Sequence, residues 1–129
     1  SMITALYAAA LAALFLWLSI AVIRYRRHHK IGLGDSGDKG LLKRMRAQAN
    51  CAEYAPLGIV LLLLVELQGA PWWLVHLTGL TLLVGRLAHG YGFSARPPIM
   101  ALRVNGMLLT MASYIIAIIS LVVLFFFPA

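Results

Sequence analysis

The sequence predicts an all-α membrane protein, a bundle of four transmembrane helices, and three observations carry that expectation. Hydrophobic residues make up 62% of the 129 residues and charged residues 12%, about half the charged share of roughly 25% found in soluble domains. Apolar runs without a single charge open and close the chain. The charges are also sorted along it. Of 11 Lys+Arg, set against 4 Asp+Glu for a net +7, most fall between the first and second apolar runs. A mean hydropathy of +0.89 excludes a disordered chain, a disulfide scaffold and an ordinary soluble enzyme. At 14.1 kDa the chain is read as one domain over residues 2–129, with Ser1 an extraneous residue before Met2. Such a small bundle leaves little surface for a private active site, which favours oligomerisation.

The spans are expected near residues 2–23, 40–68, 71–92 and 103–127. A hydrocarbon core about 30 Å thick needs about 20 apolar residues per helix. Met2–Ile23 is charge-free and has no basic segment before it, so it reads as a retained span, not a cleavable signal. The second span carries Glu53 and Glu66 and extends back through Arg46 to a polar start near Asp38, a suitable cap. Gln68-Gly69-Ala70-Pro71 reads as a tight turn, and Pro71 suits the first turn of the third helix. Val104–Ala129 is again charge-free, with Pro128 at its end.

Four spans put both termini on one side. Arg24, Arg26, Arg27, Lys30, Lys39, Lys43, Arg44 and Arg46 lie around the first connection, and Arg86, Arg96 and Arg103 around the third. The second connection has no basic residue. The positive-inside rule then predicts basic loops in the cytoplasm and both termini on the non-cytoplasmic side. The same clustering beside apolar spans argues against nucleic acid as the partner. A single cysteine, Cys51, excludes an internal disulfide. Gly32-x-Gly34 follows no strand, Asp35, Ser36 and Asp38 are too few for a calcium loop, and adjacent His28 and His29 make a poor ligand pair. No metal is expected.

The informative segment is Arg46-Ala-Gln48-Ala-Asn50-Cys51-Ala-Glu53-Tyr54-Ala-Pro56-Leu57. On a helix, Arg46, Asn50, Glu53 and Tyr54 share one stripe. Ionisable groups in a span are costly and usually face a bundle interior or a wet cavity. A cation, an amide, an anion and a phenol suit a small zwitterionic ligand: Arg holds a carboxylate, Glu an ammonium, Asn a peptide group. The same residues also fit packing alone. Glu53 would pair with a base on another span, Asn50 bond across helices, and Arg46 snorkel to the interface. The residues by themselves leave both open. Arg86 and His89 share a face of the third helix, and His76 and Glu66 lie toward the far half of the bundle.

This segment closely resembles the signature of the MAPEG superfamily, membrane-associated proteins in eicosanoid and glutathione metabolism. Arg26-Arg27 after Val22-Ile23, Arg86-Leu-Ala-His89-Gly-Tyr91 and Arg103-Val-Asn-Gly106-Met-Leu-Leu-Thr110 look like its bacterial inner-membrane branch. The resemblance covers nearly the whole chain and implies a homotrimer in the inner membrane, with glutathione as co-substrate between adjacent subunits and a lipophilic small molecule or membrane lipid as the second partner. It implies that Arg46, Asn50, Glu53 and Tyr54 hold glutathione, supported by Gln48, with Ser19 near the pocket, Arg26 reaching in from a neighbouring subunit and His89 contributing from span three. Arg103 resembles the arginine that stabilises the glutathione thiolate, and Arg96 is the other candidate. A free thiol of pKa about 8.5 needs a nearby cation to be a thiolate at neutral pH. The implied activity is a glutathione transferase or peroxidase. Against the leukotriene synthase branch, His89 and Phe93 stand where that enzyme has tyrosines, which favours the alternative of a non-catalytic scaffold or lipid-binding protein. A small exporter is the third reading, with Glu53 as a proton site.

Overall fold

The computed structural model describes residues Ser1–Ala129. It contains four helices and no strand: α1 (Ile3–His29), α2 (Lys39–Leu67), α3 (Trp72–Ser94) and α4 (Met100–Phe126). α1 continues past Ile23 through the basic Arg26-Arg27-His28-His29 turn, where positive charge complements the helix C-terminus. It stops in a left-handed turn at Lys30 (φ 56), with the Ile31 N–H bonded to the Arg26 carbonyl at 3.0 Å. α2 starts on Asp38, whose carboxylate accepts from the Leu41 N–H at 3.0 Å and from the Tyr25 hydroxyl at 2.7 Å. Pro56 lies inside α2 without ending it. The hairpin to α3 turns at Gly69 (φ 87), and Pro71 caps α3 from just outside it.

α1, α2 and α4 are each long and apolar enough to cross a membrane. α3 has the length, at 23 residues, but His76, Arg86 and His89 make it less apolar. Position accommodates these groups: α3, like α2, packs against all three other helices, whereas α1 and α4 do not touch. A central helix can carry polar groups because it turns them onto its neighbours and not onto lipid. Large apolar side chains such as Leu16, Trp17, Ile118 and Phe125 stay exposed on the outer helices.

Two apolar clusters fill the bundle. Leu11, Leu14, Leu18, Ala47, Cys51, Ala55 and Leu82 form one; Tyr7, Leu62, Val65, Val75 and Ala117 form the other, nearer the hairpin. The α3–α4 seam is built differently. α4 buries Gly106, Thr110, Ser113, Ala117 and Ser120, small residues that let two backbones approach closely. A Cβ on Gly106 would lie 2.5 Å from the His89 nitrogen and 2.7 Å from the Gly85 carbonyl. Ser113 adds a bond to the Thr78 carbonyl at 2.9 Å. At the far end, the Glu66 carboxylate accepts from the Ile3 and Thr4 N–H groups at 2.6 and 2.8 Å. Beside it the Tyr7 hydroxyl meets His76 Nδ1 at 2.7 Å. Glu66 and His76 are therefore both engaged within the bundle.

Two outcomes follow from these contacts. Gly106→Ala should lower stability, because the obstructing atoms are backbone. The overpacking cost of about 1–3 kcal/mol outweighs a helix-propensity gain of up to about 1 kcal/mol, and thermal unfolding in detergent would register the drop. The Tyr25 hydroxyl, and then the Leu41 N–H, hold the Asp38 carboxyl below its ordinary range. A depressed folded-state pKa stabilises the fold above the unfolded value, near pH 4, and that contribution is lost as pH falls through the folded value. Melting temperature followed into acid should fall less steeply in Asp38→Asn than in the parent protein.

Candidate functional site

The middle of α2 positions the expected stripe, and the bundle divides it. Arg46 and Glu53 are exposed, while Asn50 and Tyr54 are half-buried. Asn50 is held by Arg86 of α3, whose Nη1 donates to Asn50 Oδ1 at 2.6 Å and to the Asn50 carbonyl at 3.1 Å. Arg86 Nε donates to Thr110 Oγ1 at 3.1 Å, and Nη2 approaches Met107 Sδ at 3.0 Å. Its guanidinium carbon lies 5.3 Å from the centre of the Tyr54 ring, a cation–π distance. Tyr54 in turn accepts at its carbonyl from the Tyr114 hydroxyl at 2.6 Å. Arg86 is 1% exposed, and each of these partners is neutral. A buried cation is tolerable here because neutral acceptors and a ring face from α2 and α4 replace its hydration.

Sequence reasoning left Arg86 at the edge of the site, as a basic residue near a helix end. The signal was present, since a charge inside an apolar span belongs to the interior. The fixed partner also changes what Asn50 can do. Its oxygen is occupied by Arg86, so the amide nitrogen is the group left to donate.

One turn along α3, His89 is buried at 5% exposure with its ring 5.6 Å from Phe93. The Arg103 guanidinium of α4 stacks on the other partner of that pair, 3.9 Å from the Phe93 ring centre. Arg103 Nε is buried and has no hydrogen-bond partner. Arg103, and not Arg96, is thus the arginine grouped with His89 and Phe93. Arg96 lines a basic cleft at the end of the bundle with Arg24 and Arg44. Gln48 reaches α1, its Nε2 lying 3.1 Å from Ser19 Oγ. Arg26 turns into its own loop, bonding the Gly34 carbonyl at 2.8 Å and the Ile31 carbonyl at 3.3 Å. Within one chain, then, Asn50 and Tyr54 meet at Arg86, His89 and Arg103 meet at Phe93, and Arg46 and Glu53 stand on an open face. An apolar groove of about 190 Å³ runs along that part of α2, between Leu11, Phe15, Ala52, Pro56 and Ile59.

The signature segment thus lies on the second of four helices, and Arg103 lies in the first turn of the fourth. Residues 4–123 match the model of the MAPEG family. The chain belongs to the MAPEG family. Among relatives, the inner membrane protein YecN of Escherichia coli strain K12 is 43% identical over 95 residues, which cover 74% of this chain and 72% of YecN. The protein of the same name from strain O6:H1 (CFT073) matches to the same extent. This MAPEG chain is therefore a membrane protein whose four helices form the family's bundle.

Asn50→Ala should destabilise the MAPEG bundle by about 1–3 kcal/mol, because a buried charged donor loses its best acceptor. Asn50→Asp keeps the oxygen and adds a countercharge, and should retain the parental stability. Unfolding of the two variants in detergent, compared side by side, checks both.

Proposed function

We propose that the chain is a glutathione-dependent transferase or peroxidase of the bacterial inner membrane, acting on lipophilic electrophiles or hydroperoxides. The observation that carries this reading is Arg103: a cation fixed against Phe93, with a buried Nε–H that has no acceptor. A thiolate would complete that donor, and an arginine that stays charged lowers the pKa of a neighbouring thiol. Glutathione, as co-substrate, supplies the nucleophilic sulfur: it bonds to carbon as a leaving group departs or a proton is taken up, or it attacks a peroxide oxygen, breaking the O–O bond and releasing the alcohol, after which a second glutathione forms the disulfide and water leaves.

The rest of the tripeptide suits the stripe on α2. Arg46 would take a carboxylate, Glu53 the ammonium, and the free amide nitrogen of Asn50 a peptide carbonyl, with Tyr54 alongside and Gln48 in support. Arg46 and Glu53 are exposed on the single chain, and a charged pair on an apolar span calls for cover. A homotrimer, with Arg26 of a neighbouring copy closing the pocket, would provide it. The groove beside Ala52 and Pro56 suits an apolar second substrate arriving from the bilayer. Basic loops in the cytoplasm, as the positive-inside rule expects, would open this site toward the compartment that holds glutathione. One observation favours the alternative of a non-catalytic scaffold or lipid-binding protein: His89 is buried beside Phe93, and neither side chain offers a phenol hydroxyl at this end of α3.

Glutathione titration of the purified oligomer, followed by ultraviolet absorbance of the thiolate, decides between them. A saturable signal is expected, reduced about tenfold for each unit of thiol pKa restored in Arg103→Ala, while Glu53→Gln weakens binding and leaves the signal at saturation. An assembled oligomer that binds no glutathione would sink the enzyme reading and leave the scaffold.

A further inference from the structure

A wide cleft lies apart from the residues grouped around Arg86 and Arg103. It occupies about 880 Å³ at the basic end of the bundle, between the last turns of α1, the first turns of α2 and the α3–α4 connection. Arg24, Arg27, Lys43, Arg44 and Arg96 line it, together with His28 and His29, and no carboxylate does. Several of these groups are held in place. Lys43 Nζ donates to the carbonyls of Ala95 and Ser94 at 3.1 and 3.5 Å. Arg44 lies 4.3 Å from the Tyr25 ring centre and bonds the Gly40 carbonyl at 2.9 Å. Tyr25 is itself anchored by Asp38. Like charges gathered in one cleft repel one another; Asp38, behind Tyr25, offsets part of that charge, and a bound anion would offset more.

A second, narrower groove of about 270 Å³ shares Ala21, Arg44 and Arg96 with the cleft and leads away past Trp17 and Tyr91. Both aromatics are more than half exposed, at 52% and 58%. Tyr91, in the last turn of α3, stands near the level where a bilayer meets water, and Trp17 lies deeper, along the middle of α1. A soluble anion needs only the cleft. An amphiphile with a phosphate head and an acyl chain fits the cleft and the groove together, and basic pockets between transmembrane helices suit such head groups.

We infer that this is a binding site for an anionic phospholipid. The phosphodiester sits between Arg44 and Arg96, and one acyl chain follows the groove past Trp17 and Tyr91. Arg24 and Arg27 supply charge for a second phosphate, so a diphosphate lipid such as cardiolipin binds more tightly than phosphatidylglycerol. The inference stands apart from the glutathione reading, since none of these residues is assigned to the thiol site.

The test is native mass spectrometry of the delipidated full-length protein in detergent, titrated with cardiolipin, phosphatidylglycerol and phosphatidylcholine. Retention is expected in that order. Arg44→Gln with Arg96→Gln should weaken phosphatidylglycerol binding by about fivefold per cation removed. Arg96→Gln alone, in a connecting segment, gives the same direction should the double variant fail to assemble. Lys30→Gln with Lys39→Gln removes equal charge from the same end outside the cleft and should change nothing. Trp17→Ala should weaken long-chain phosphatidylglycerol but not its dihexanoyl form. Equal retention of phosphatidylcholine, or equal weakening by the two double variants, would overturn the site. Displacement of the lipid by inorganic phosphate at comparable concentration would overturn it in favour of a soluble phosphate ligand.

Discussion

The bundle is organised around one buried cation. Arg86 donates to Asn50 of α2 and to Thr110 of α4 from its place on α3, so a single guanidinium fixes the spacing of three helices. Lipid offers little hydrophobic drive for helix association, and interhelical hydrogen bonds and close packing take over that role. Gly85 and Gly106 make the bonding possible by letting the α3 and α4 backbones meet. An alanine at either glycine would push apart the same seam that Arg86 and Thr110 join. Glycine spacing and the buried charge are therefore two aspects of one constraint.

That constraint also shapes the chemistry available to the site. Asn50 belongs to the signature segment, but Arg86 already takes one lone pair of its oxygen, while both of its amide N–H donors remain free. Arg103 has the opposite character to Arg86. Phe93 holds it in position while its Nε remains without an acceptor. One arginine is spent on architecture and the other keeps a free donor, although both sit in apolar helices and look alike in the sequence.

The sequence shows the helices plainly, because charge-free runs in a bilayer leave few alternatives. Asp38 as a cap and Gln68–Pro71 as a turn were legible from residue type alone. The signature on α2 was legible as a helical stripe. What the stripe could not reveal was its division, with Asn50 and Tyr54 facing Arg86 while Arg46 and Glu53 face outward. Helical periodicity gives the angle between residues on one helix and says nothing about which neighbour fills that angle. The Arg26 side chain shows the same limit: its place at the end of a span was readable, but the loop carbonyls that capture it are set by the left-handed turn at Lys30.

The Glu66 carboxylate closes the first turn of α1 from 63 and 62 positions downstream. Helix N-termini begin with open N–H donors, and a bilayer interior provides nothing to satisfy them. While the chain is being synthesised, α1 emerges long before Glu66 does. Its leading end must remain at the wet interface until the α2–α3 hairpin arrives beside it. Completion of the first helix is thus tied to insertion of the second, and the first turn of α1 is sealed by a residue made only once α2 is nearly finished.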